Sequence, residues 1–206
     1  MDPSPNGPKA ALRQTISDQL TALTEADRQR ESAALVSFLE GFAPGRWTVV
    51  LATLPMAAEP SLVPFLKRWM AQGCQVALAR TGPGRSLSFR YVASLDGPWD
   101  VKPYGMQEPQ ETAPLWSPGP PTLVLVPGLG FAAKKPSGVA RLGRGAGYYD
   151  RWLAAHGSSV FALGVGYSPQ WVDEVPLEPH DRLLDGWLGP QGFWFPDQKS
   201  KARTEG

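Results

Sequence analysis

Apolar residues open the chain at helical intervals. Leu12, Ile16, Leu20 and Leu23 line one face of a helix predicted over residues 9–23. Lys9 and Arg13, four apart, share another of its faces. Thr24, with Asp27 three residues on, makes a variant capping box. A second helix is therefore expected, with Leu35, Phe38 and Leu39 inward and an end near Gly41. From Trp47 the period changes. Trp47–Leu51 is continuous and β-branched, the pattern of a strand covered on both faces. Ser61 is placed to cap a helix carrying Leu62, Phe65, Leu66 and Trp69, closed by Gly73. Gln75–Ala79 follows as a second strand, which completes a βαβ unit. Ser86–Tyr91 alternates like an edge strand, and residues 92–121 read as a long connection. Thr122–Val126 is the clearest buried strand. Beyond it come Pro127-Gly128, a long loop, a Gly-rich run, and a helix over Tyr148–His156 stopped by Gly157. Phe161–Val165 and Leu183–Leu188 complete the strands.

Strands separated by helices imply an α/β fold with a mostly parallel sheet. Ligands on such sheets bind at the carboxyl ends of the strands, the edge that the Gly-rich run should occupy. No repeat or domain break interrupts residues 9–196, which are read as one domain. Residues 1–8 and the polar tail 197–206 are expected to be disordered.

Composition narrows the function. Among 206 residues, 20 basic side chains face 19 acidic ones, without the basic excess of a nucleic-acid binder. The single Cys74 allows neither an internal disulfide nor a cysteine zinc site. The first eight residues lack the apolar run of a signal peptide, and the apolar stretches near 47–54 and 122–131 are too short to span a bilayer. A cytoplasmic protein without membrane or nucleic-acid partners is expected, with a monomer favoured.

The candidate chemistry gathers at Arg141-Leu142-Gly143-Arg144-Gly145-Ala146-Gly147-Tyr148-Tyr149-Asp150. Glycines admit close approach of backbone N–H groups to phosphate, and the next helix offers its positive end. Arg141 and Arg144 add bidentate donors. The spacing fits neither the dinucleotide fingerprint nor a P-loop. On local pattern alone the run is equally a flexible loop. Asp150 either holds Mg²⁺ or complements the helix dipole. Asp181, in Glu178-Pro179-His180-Asp181, is a second possible oxygen ligand, whereas His180 reads as a loop histidine. Glu59, beyond the first strand, either binds polar substrate nitrogens or is a solvated loop acid.

Taken in order, these pieces resemble the 5-formyltetrahydrofolate cyclo-ligase family, also called 5,10-methenyltetrahydrofolate synthetases. The resemblance runs from Lys9 to about Asp185. It rests on Arg141–Asp150 preceded by Val126–Phe131, supported by Lys9, Leu12-Arg13, Glu59, Tyr104–Pro109, Gln170, Glu178–Asp181 and Asp185. It implies a single three-layer domain similar to the sugar-phosphate isomerase and CoA-transferase group. It also implies Mg²⁺- and ATP-dependent cyclisation of 5-formyltetrahydrofolate, with or without a polyglutamate tail. Carried over by residue, Lys9, Arg13, Arg141, Leu142, Gly143, Arg144, Gly145, Ala146, Gly147, Tyr148 and Tyr149 contact ATP. Arg13, Leu54, Glu59, Arg144, Gly145, Ala146, Gly147 and Tyr148 contact the folate. Arg144 and Tyr148 form the catalytic pair, and Asp150 and Asp181 hold Mg²⁺. Three departures stand out: Ala132 where Asp is usual, extra residues Lys134-Lys135-Pro136, and Pro60-Ser61 beside Glu59. They motivate a second reading, a relative that binds nucleotide or folate without this cyclisation.

Overall fold

The computed structural model describes residues 7–42 and 45–196. Two helices lead: α1 (Pro8–Ala22) and α2 (Glu25–Gly41). Pro8 sits in the first turn of α1, where its missing N–H costs nothing. The helix thus begins within the segment expected to be disordered, and residues 1–6 lie outside the described residues. The Thr24–Asp27 capping box is formed in both directions. Next come β1 (Val49–Ala52), α3 (Val63–Ala71), β2 (Gln75–Gly82) and β3 (Ser86–Tyr91). Ser61 does not cap α3. Leu62 occupies the cap position without a side-chain bond, Pro64 sets the first turn, and the Ser61 N–H instead donates to Ser32 Oγ.

The long connection expected over 92–121 contains a small hairpin, β4 (Trp99–Val101) with β5 (Gln107–Pro109). After β6 (Thr122–Val126), the loop expected before the Gly-rich run is another hairpin, β7 (Gly130–Lys134) with β8 (Gly138–Leu142). Then follow α4 (Tyr148–His156), β9 (Phe161–Val165), β10 (Gly186–Gly189) and β11 (Gly192–Trp194).

One seven-stranded sheet runs β11-β10-β9-β6-β1-β2-β3. Its five inner strands are parallel, and β3 and β11 add antiparallel edges. The continuous apolar runs follow from its two covered faces. Val50, Ala52 and Leu123 pack with α2 and α3, through Leu35, Leu39, Phe65 and Trp69. Val49, Leu51 and Val124 pack on the other side with Tyr149, Trp152 and Leu153 of α4 and with Phe131 and Val139 of the β7–β8 hairpin. The result is the expected three layers. Phe38 is not inward: it is 37% exposed, with its ring edge-on to Phe193. Helix α1 lies outside both layers. Ile16 and Leu20 close on Leu129, Ala132, Ala140 and Leu142 of the hairpin. Among the described residues no helix is long and apolar enough to cross a membrane.

Candidate active site

The parallel strands direct the segments after β1, β6 and β9 to one edge. A cleft of about 30 Å³ opens there, lined by Thr53, Pro55, Glu59, Pro127 and Val165 among others. It has room for one or two waters. Three polar ties hold its rim. Gln170, almost fully buried, donates from Nε2 to the Gly128 carbonyl (2.6 Å) and accepts the Tyr167 N–H at Oε1 (2.7 Å). The Tyr167 hydroxyl donates to the Glu59 carbonyl (3.2 Å) and lies 3.2 Å from Ser32 Oγ. Glu31, buried on α2, accepts both the N–H (2.9 Å) and the hydroxyl (2.8 Å) of Ser168. Segments after all three strands are thereby fixed to one another and to α2. Gln170 entered the sequence reading without a role, and Glu31, Ser32 and Tyr167 did not enter it. The turn-forming Gly166-Tyr167-Ser168-Pro169 was their one visible signal.

The Gly-rich run splits in two. Arg141 and Leu142 belong to the buried strand β8, and Gly143–Gly147 form the connection to α4. Arg141 is turned inward, its side chain only 4% exposed. Nη2 donates to Asp150 Oδ2 at 2.8 Å and Nη1 to the Pro127 carbonyl at 3.3 Å, while the guanidinium lies 5.5 Å from the centre of the Tyr149 ring. Among the described residues Arg141 Nε and the Tyr149 hydroxyl have no hydrogen-bond partner. Burial pushes the Tyr149 hydroxyl far above the usual tyrosine range; the Arg141 charge opposes this and the Glu59 charge adds to it.

Helix α1 brings two cations to the same edge. Arg13 Nε donates to the Gly143 carbonyl at 2.9 Å. Lys9 Nζ lies 2.6 Å from Asp181 Oδ2 and 3.0 Å from Glu178 Oε2. Burial alone would lower the Lys9 ammonium, but the hydrogen bonds to Asp181 and Glu178 outweigh it and raise its pKa. Arg144, by contrast, is half exposed and pairs with Glu59 Oε1 at 3.3 Å. Glu59 Oε2 accepts the Met56 N–H. Leu54, on the same segment, is half-buried against the core. Tyr148 opens α4 beneath the Arg151 guanidinium, at 5.9 Å.

Four pairings thus join residues that the sequence keeps apart: Arg141 with Asp150, Arg13 with Gly143, Lys9 with Asp181, and Arg144 with Glu59. The two aspartates meet different cations. Each uses Oδ2 for its bonds, and among the described residues no hydrogen bond forms to Oδ1 of either. Asp181 Oδ1 faces His180 Nε2 at 3.9 Å; hard carboxylate oxygens of this kind fit a magnesium ion, which takes one or two carboxylates beside phosphate and water. Glu178, His180 and Asp181 also cluster within 4.8 Å.

The departures from the expected pattern have simple structural homes. Ala132 is buried in the apolar contact beneath α1. Of the extra Lys134-Lys135-Pro136, Lys134 ends β7 paired with Gly138, and Lys135-Pro136 falls in the exposed turn of the β7–β8 hairpin, where length is cheap.

Comparison with known proteins bears on the family and the fold. Residues 5–189 match the profile of the 5-formyltetrahydrofolate cyclo-ligase family. A 5-formyltetrahydrofolate cyclo-ligase of Mycolicibacterium smegmatis is 33% identical over 190 residues, covering 89% of this chain and 94% of that one. One of Saccharomyces cerevisiae is 35% identical over 117 residues, 53% of this chain and 54% of its own. The solved 5,10-methenyltetrahydrofolate synthetase of Aquifex aeolicus superposes with a TM-score of 0.73 at 26% identity, covering 91% of this chain and 92% of that one.

Proposed function

The chain belongs to the 5-formyltetrahydrofolate cyclo-ligase family, and from that premise we propose that it cyclises 5-formyltetrahydrofolate to 5,10-methenyltetrahydrofolate in a Mg²⁺- and ATP-dependent reaction. The observation that supports this most is the meeting of Arg13 and Glu59 with Gly143 and Arg144 of the Gly143–Gly147 segment at the carboxyl edge of the sheet. Cations and backbone amides suited to phosphate stand there beside an acid suited to substrate nitrogens.

An amide oxygen is a poor leaving group. In the proposed sequence the formyl oxygen attacks the γ-phosphorus and ADP departs. N10 then adds to the activated formyl carbon, the carbon–oxygen bond breaks, phosphate leaves and the N10 proton is released. Such transfer depends on positioning and charge neutralisation more than on covalent help. Arg144 is the residue to meet developing phosphoryl charge, because its guanidinium is planar and its only ion-pair partner among the described residues is Glu59. Glu59 is then released to the folate. Lys9 and Arg13 orient the nucleotide, Tyr148 and Leu54 bound the folate, and the amides of Gly143–Tyr149 face the phosphates. Asp150 and Asp181 would hold Mg²⁺, whose charge eases departure of ADP.

The test is direct. Purified protein, Mg²⁺, ATP and 5-formyltetrahydrofolate should yield the methenyl compound, followed by its absorbance, with one ADP per product. ADP without the methenyl compound, or neither under conditions where the Mycolicibacterium smegmatis enzyme works, would replace this reading with that of a nucleotide-binding relative.

A further inference from the structure

We infer that Arg151 is a positioning residue that straps the Gly-rich segment to the β2–β3 turn and fixes the direction of the Ala146–Gly147 peptide. Its consequence for catalysis rests on the reading of that segment as the phosphate loop.

Arg151 is the fourth residue of α4, and helical side chains lean toward the N-terminus. It therefore reaches back over the helix start. Nη2 donates to two carbonyls at once, Ala146 and Arg85, each at 2.8 Å. Nη1 occupies the space beside Gly147: a Cβ built there would lie 2.7 Å from it. A Cβ there would push the guanidinium aside, and the φ of +67° is what calls for glycine at 147.

The distant end of the strap is itself unusual. Arg85 has a φ of +58°, a left-handed conformation that is costly for a residue with a Cβ. Its carbonyl receives a charge-assisted bond in return. A guanidinium folded back over a helix N-terminus also opposes the helix dipole. Helix stability alone therefore does not favour this side-chain position, whereas bridging two loops does.

Peptide geometry gives the strap its functional meaning. In a trans peptide the C=O and the following N–H point in opposite directions. Anchoring the Ala146 carbonyl on Arg151 consequently aims the Gly147 N–H the other way, as a preset donor. Without the strap the glycine-flanked peptide is free to rotate, and donors must be ordered when the ligand binds.

Hydrogen exchange on the ligand-free protein tests the strap itself. Arg151→Met keeps the aliphatic stem and removes the donors; Arg151→Lys retains a charge that reaches one carbonyl at best. Amides of residues 84–86 and 145–147 should exchange at least tenfold faster together in Arg151→Met, and less so in Arg151→Lys, with β6 and α2 unchanged. In turnover, the KM for ATP should rise at least tenfold in Arg151→Met, more than kcat falls, with partial recovery in Arg151→Lys. Unchanged exchange in both variants, or acceleration of one segment alone, overturns the strap. Calorimetry of the wild-type protein with a non-hydrolysable ATP analogue and Mg²⁺ separates the two ideas. No binding there, with both segments still loosened in the variants, would sink the phosphate-loop reading and leave the strap standing.

Discussion

Arg141 keeps 4% of its side chain in contact with solvent and Asp150 keeps 13%, so most hydration of both charges has been exchanged for their mutual bond. Removing one partner strands the other. Breaking a buried pair costs about 3–5 kcal/mol, with Arg141→Met expected near the lower figure because Asp150 retains some water. A chain of this size loses roughly 2–4 °C of Tm per kcal/mol, so thermal unfolding should fall by roughly 6–12 °C. If Arg141→Met instead left Tm unchanged and raised only the KM for ATP, Arg141 would be the phosphate contact that family resemblance implies. Arg144 gives the opposite profile. Arg144→Lys should leave Tm unaltered, since the side chain is 46% exposed, yet lower turnover more than tenfold, at least ~1.4 kcal/mol in the transition state. Asp185 supplies a pH signature. Desolvation raises its carboxyl above the ordinary 3.8, although its Oδ2 accepts the Ala162 N–H. A raised carboxyl weakens the fold as pH climbs through the unfolded value to the folded one. Asp185→Asn keeps an acceptor and sheds that cost. It should therefore melt higher at neutral pH, the difference closing below about pH 4. None of these three environments was legible in the sequence beyond the residue type. Arg141 read as a loop phosphate donor because glycines follow it, whereas its place in β8 follows from pairing with Phe131.

Among elements, those whose signals are local were legible. Helix α4 spans the expected Tyr148–His156, β6 and β9 have the expected bounds, and the α2 cap is formed as its Thr24-Asp27 spacing predicts. Thr24→Ala should cost about 1 kcal/mol, read by chemical denaturation; an unchanged midpoint would mean that the box forms without stabilising α2. The elements that escaped are those whose residues carry no period. Strands β7 and β8 are largely buried, short in side chains and Ala/Gly-rich, so neither alternation nor β-branching marks them. Strands β4 and β5 are three residues each, too brief for a pattern to develop. The α3 start was misplaced because a serine resembles a cap, while Pro64 controls the first turn.

For the whole molecule, the alternation of helix and buried strand pointed correctly to the mostly parallel sheet, whose carboxyl edge is the proposed place for ligands. The order of strands, and the return of α1 across that edge, depend on contacts between distant segments and had no local mark. Since α1, the Gly-rich segment and the Glu178–Asp181 segment converge there, the proposed Mg²⁺–ATP complex should tie them together on binding. At a hundredfold excess over Kd it would add about 2.7 kcal/mol, an upward shift of roughly 5–11 °C at 2–4 °C per kcal/mol. Differential scanning fluorimetry with and without Mg²⁺ measures it, and a shift of equal size without the metal would remove the aspartates from the nucleotide site.

The Lys9–Asp181 bond joins residues 172 positions apart, and that span has a meaning in time. A ribosome adding about 5–20 residues per second needs roughly 9–34 s to pass from one to the other. For most of that interval α1 with its two cations has been made, and the acid that holds the first of them has not. The sheet strands β1, β2 and β6 are complete long before. Nucleotide added to a series of stalled nascent chains should therefore protect those halted well past Asp181 from protease, and leave those halted before it unprotected.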